Sequence, residues 1–180
     1  MRSWAAISTM FGVFVIGLLM VLPAGQAADM TKGKAAEMVL AVAKAARTVY
    51  VSAMKDAKKG GVKPNEDWVK DDHGIMLPAQ FVKEMGKEIS AFELGLLGTD
   101  PLYASNAAKT PKEKEMLAEL AKKNKPGSMI TGEDGGKTIG MSADFAKIQL
   151  CADCHNKHPK TTKKDWKKGD FMGAIVVRMK

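Results

Sequence analysis

Sulfur cross-links can contribute little to this chain. Its 180 residues hold two cysteines, Cys151 and Cys154, with only two residues between them. A bridge over so short a loop removes little entropy from the unfolded state. Histidine is nearly as scarce, with His73, His155 and His158 the whole supply. Aromatic residues make up 6% and are not interleaved with the lysines, which argues against a nucleic-acid surface. There is no internal repeat and no low-complexity tract. Beyond residue 27 no segment is apolar enough to span a bilayer.

What is present is the composition of an ordinary folded domain. The hydrophobic fraction of 46% is enough for a core, and the length suits one domain. Lys and Arg number 28 against 20 Asp and Glu, a net charge of +8 that favours acidic partners or anionic surfaces. Residues 1–27 read as a secretory signal peptide. Arg2 supplies the positive start, Ala5 to Leu22 the uncharged run, Pro23 the break, and Gly25-Gln26-Ala27 the small residues of a cleavage site. An uncleaved membrane anchor facing the periplasm is the competing reading, because the run approaches spanning length. The expectation is an exported, periplasmic protein whose domain covers 28–180.

Periodicity then divides the chain. Thr31 to Lys58 predicts a helix with Val39, Val42, Ala43, Ala46, Tyr50, Ala53, Met54 and Ala57 on its apolar face and Gly60-Gly61 at its end. Pro78 opens a second helix with Phe81, Met85, Ile89 and Phe92 along one side. Gly95 to Lys109 reads as an irregular stretch, and Thr110-Pro111 starts a third helix to about Lys123. Strands are expected near Ser128–Thr131 and Lys137–Met141, around the turn residues Gly135-Gly136. Ser142 is expected to cap a short helix into Leu150, Lys157 to Asp170 to form a basic loop, and Gly173 to Arg178 to form the last strand. The predicted class is α+β, helices first and a small antiparallel sheet after.

The chemistry is carried by Cys151-Ala152-Asp153-Cys154-His155, the C-x-x-C-H attachment signature of c-type haem. Two thiols at this spacing can form thioethers to two vinyl groups of one porphyrin. The next residue then brings an imidazole to the iron as axial ligand. Thioether attachment needs an oxidising compartment, which agrees with the export signal. A thioredoxin-like dithiol would leave His155 unexplained, and the flanks lack a βαβ pattern. A zinc site drawing on Cys151, Cys154, His155 and His158 would crowd adjacent residues onto one ion.

From Cys151 to Pro159, then Lys164-Asp165-Trp166-Lys167-Lys168-Gly169-Asp170-Phe171-Met172-Gly173 and the final strand, the sequence resembles a bacterial family of single-haem, PAS-like domains. Ala46-Arg47-Thr48-Val49-Tyr50 and Gly74 to Val82 are similar to the family's other landmarks. Members include periplasmic sensor modules and stand-alone cytochromes. The resemblance implies a PAS-like sheet cupping one covalent haem, with N-terminal helices packed on it and a tight turn in Gly169–Gly173. Some members place a Cys thiolate on the far face of the iron. This chain has no third cysteine.

The sixth ligand is therefore open. His73 is a low-ranking candidate, with Met76 and Met141 as thioether alternatives; His158 is expected to contact a propionate or solvent. Electron transfer to an acidic redox protein is the leading function. Haem-based gas or redox sensing through a signalling partner is the alternative. No paired acid/base constellation supports an enzyme.

Overall fold

The structure is a computed structural model that describes residues 30–180. Residues 1–27, read above as a signal peptide, lie outside the described residues. Helix α1 (Lys32–Lys59) begins where the Thr31 hydroxyl accepts the Lys34 N–H at 3.2 Å and ends at Gly60, with Lys58 and Lys59 in the last turn, where cations suit the helix dipole. A two-residue parallel pairing joins β1 (Lys63–Pro64) to β2 (Gly74–Ile75). Helix α2 (Pro78–Lys87) follows, then β3 (Phe92–Gly98), α3 (Pro111–Lys123), β4 (Met129–Asp134), β5 (Lys137–Phe145), α4 (Gln149–Lys157) and β6 (Phe171–Met179). Four strands form one antiparallel sheet in the order β3-β6-β5-β4.

Strand alternation splits the core into two layers. Ile139, Met141 and Ala143 of β5 and Ala174 and Val176 of β6 point to one face, where Met116, Leu117 and Leu120 of α3 cover them. Ile175 and Val177 point to the other face, under Ala36, Leu40 and Ala43 of α1 and Val82 of α2. Helix α1 comes close to the sheet at Gly140, where an added Cβ would press Leu40 and Ala36 at 2.9 and 3.0 Å. The class is α+β with helices on both faces.

Several boundaries differ from the sequence reading. Val42 of α1 is 68% exposed, whereas Leu40 and Val51 are fully buried. The helix carries alanine and valine almost all round, so its pattern does not fix which side faces inward. Helix α2 stops at Lys87, short of Ile89 and Phe92, which were read as helical; Phe92 instead opens β3, whose end at Gly95–Gly98 falls in the stretch read as irregular. Its alternation was masked by Gly95 and Gly98, which here let the strand lie against β6 and the Pro101 turn. Ser142 caps nothing: it is buried in β5. The helix begins instead at Gln149 and contains the cysteine motif.

Gly173, where the pairing of β6 with β3 begins, has φ 154°, and a Cβ there would run into the Leu97 carbonyl and the Gly98 Cα. Gly173→Ala is therefore expected to lose cooperative urea unfolding, and a variant as stable as the wild type would contradict this reading. On the α3 face, Glu113 is 1% exposed and accepts from Arg178 Nε at 2.6 Å and from the Lys109 N–H at 2.7 Å. Removing one partner strands a buried charge, so Glu113→Ala should cost about 3 kcal/mol in urea unfolding. Asp56→Ala, which breaks a fully exposed pair with Lys59, should change nothing measurable.

Candidate functional site

Helix α4 makes the site possible through spacing alone. Cys151, Cys154 and His155 stand at i, i+3 and i+4, so a 3.6-residue period brings all three to one face. That face looks into a cleft bounded by α1, the start of α2, the end of β3 and the loop that follows it. The atom-free space is about 1240 Å³, open mouth included, and the walls are largely apolar, with Met54, Leu77, Leu96 and Leu102 among them. Helix α4 makes no extensive contact with another helix or strand, so the cleft separates it from the body.

Two clamps hold α4 at this distance. The Trp166 N–H donates to Asn156 Oδ1 at 2.8 Å, and Asn156 Nδ2 donates to the Trp166 carbonyl at 2.9 Å. Trp166 is thereby buried with its ring edge-on to His155, centroids 6.1 Å apart. Asp100, just past β3, accepts from Thr162 Oγ1 at 2.6 Å, from the Lys163 N–H at 3.0 Å and from Thr161 Oγ1 at 3.4 Å. These bonds, the one from Thr162 foremost, hold the Asp100 carboxyl below the usual carboxylate range.

The two thiols are unbridged. Burial pushes the Cys154 thiol up, and burial first, then His158, pushes His155 down, so both favour their neutral forms. His155 Nδ1 is buried with no hydrogen-bond partner. Across the cleft from α4, Arg47 Nη1 donates to Asp144 Oδ1 at 2.7 Å, with both side chains mostly buried. Burial raises the Asp144 carboxyl, and Arg47 is the strongest opposing influence.

A family model described as Tll0287-like matches residues 25–180. The chain belongs to the Tll0287-like family. No curated protein and no solved structure matches it. In this Tll0287-like chain the three motif side chains meet at one cleft, and the other sequence candidates do not join them. His73 lies in the loop before β2, its N–H donating to Asp71 Oδ1 at 3.1 Å, beside a separate polar hollow. Met141 is wholly buried in the α3-side core. Met76 offers its carbonyl to Tyr50 Oη at 2.6 Å and is not among the cleft-lining residues. His158 is largely buried rather than solvent-exposed: its Nδ1 accepts the Lys160 N–H at 3.1 Å, and its Nε2 stands 3.4 Å from Glu66 Oε2.

Sequence reasoning passed over Met54, Glu66, Asp100, Tyr103, Asp144 and Met172, which also line the cleft. Only Asp144 carried a signal, as a charge inside an apolar strand. Among the described residues no group of three or more His, Cys, Asp or Glu side chains is placed to hold a bare metal ion.

At the mouth, Tyr103 Oη donates to Glu66 Oε2 at 2.6 Å, and this bond chiefly pushes the phenol up to about 12. The stabilisation it gives is present below the ordinary phenol value of 10.0 and is lost as pH rises through 12. Ultraviolet difference titration should show Tyr103 ionising near 12, falling to near the ordinary 10.0 in Glu66→Ala. An unchanged titration in that variant would contradict the bond.

Proposed function

We propose that this chain is a single-haem c-type domain of PAS-like kind, working as an exported periplasmic electron carrier rather than an enzyme. One observation carries the reading: Cys151, Cys154 and His155 project from one helical face into one mostly apolar cleft. The residues suit a covalently held haem. The thiols are free and lie within one turn of each other, so each can add across a vinyl group to leave a thioether. The His155 imidazole favours its neutral form and has a buried nitrogen that nothing in the chain satisfies. A neutral imidazole is the form that ligates iron. When bound, the haem would supply a one-electron couple whose potential follows its axial ligands and burial.

The chain's own part is positioning and insulation. Asn156 fixes Trp166 against His155, which limits rotation of the imidazole and keeps water from that side. The Arg47–Asp144 pair places a neutralised dipole at the cleft wall. Outside, Lys157, Lys160, Lys164, Lys167 and Lys168 are exposed on and just after α4. Within Cys151–Lys180 there are eight Lys and Arg against three Asp. Such a patch beside the cleft suits an acidic redox partner, with association that weakens as salt rises.

The test is protein matured in cells that carry cytochrome-assembly machinery. Wild type should give the alkaline pyridine spectrum of a haem with both vinyl groups saturated. Cys151→Ser and Cys154→Ser should each give the spectrum of one remaining vinyl group, and the double variant should lose its haem to acid–organic extraction. A wild type without a pyridine band would contradict the proposal. Rapid CO or NO adduct formation by the ferrous wild type would move the reading to gas sensing through a signalling partner.

A further inference from the structure

The cleft contains more potential iron ligands than His155, and most of them are already committed. The Glu66 carboxylate accepts from Tyr103, Asp100 accepts from three donors in the loop after α4, and Asp144 is paired with Arg47. Tyr103 spends its proton on Glu66. No second histidine lines the cleft. The Lys83 ammonium stands 5.7 Å over the Tyr103 ring, and the sulfur donors that remain besides the two cysteines are the thioethers of Met54 and Met172.

The two methionines are placed differently. Met172 belongs to the segment running on from Trp166, and Trp166 already stands against His155. Met54 belongs to α1, an element with no extensive contact to α4, so the cleft lies between Met54 and the helix that carries His155. Met54 is 1% exposed yet belongs to neither of the two core layers. Most buried methionines fill gaps in a core. This one faces the cleft, one turn beyond Tyr50, whose ring stacks on Phe81 at 4.3 Å and whose hydroxyl is tied to the Met76 carbonyl. Those contacts fix the stretch of α1 from which Met54 projects.

We propose that Met54 Sδ is the sixth ligand of the iron, opposite His155. The proposal rests on the haem reading above. A thioether opposite imidazole favours the ferrous state and raises the potential, and an occupied sixth position excludes small ligands. This assigns the cleft to electron transfer and makes an open gas site a property of its variants.

The experiment uses the mature haem-loaded protein and reads absorption spectra, with the added porphyrin mass measured on the same sample. Ferric wild type should be low-spin and show the weak red sulfur-to-iron charge-transfer band. Its ferrous form should take up CO slowly. Met54→Leu conserves volume, a change that cores tolerate. It should keep the haem mass, lose the red band, become high-spin and bind CO within mixing. Met54→His should restore a low-spin spectrum without the red band. Met172→Leu should leave the wild-type spectrum intact. Haem-loaded wild type without the band, a band that survives in Met54→Leu, or a band lost in Met172→Leu would each overturn the assignment while leaving the haem reading in place. Absence of the porphyrin mass would instead overturn both.

Discussion

The arrangement depends on α4 being held off the rest of the molecule. A nine-residue helix with an apolar face would ordinarily pack against its neighbours. Here the chain prevents that with polar clamps at its C-terminal side: Asn156 bonded both ways to Trp166, and Asp100 gathering three donors from the loop that returns towards the sheet. Both clamps draw on backbone groups that would otherwise need water, so they satisfy a loop while fixing a distance. The cleft is the space that remains. Its existence, and the projection of two thiols and an imidazole into it, follow from these few bonds.

Electrostatics divide the same region into a mostly apolar cleft whose charges are paired or hydrogen-bonded and a cationic exterior. Burial biases Cys154 and His155 to neutral forms, and the one carboxylate deep in the wall is matched by Arg47. Of the lysines that follow α4, Lys160 and Lys163 hold their ammonium groups 4.0 Å over the Tyr103 and Trp166 rings, while Lys164, Lys167 and Lys168 are exposed. A desolvated pocket under a charged rim is well suited to a redox group: the interior sets the preference between oxidation states, and the rim governs encounter.

Much of this was legible in the sequence, and the failures have definite causes. Helix α3 announced itself through Thr110-Pro111, and β6 through its Ala-Ile-Val-Val run, because caps and β-branched runs act locally. Strand β3 was hidden by its glycines, whose role appears only when the neighbouring backbone is in place. Ser142 imitated a helix cap, but its position in β5 between β4 and β6 overrode that local preference. The motif at 151–155 was evident from spacing. The residues across from it were not, since Met54, Glu66, Asp100 and Asp144 come from elements brought together only by the tertiary fold. His73, Met76 and Met141 were reasonable as chemical types, but the loop at Asp71, Tyr50 of α1 and the α3-side core give them other surroundings.

The central claim is that Cys151 and Cys154 carry a porphyrin in the cleft beside α4. Peptide mass spectrometry of a digest of the matured protein tests it most directly. The account predicts that the peptide containing residues 151–155, and no other, bears the mass of one haem retained after denaturation and acid extraction. That peptide at its unmodified mass, with both thiols open to alkylation, would contradict it.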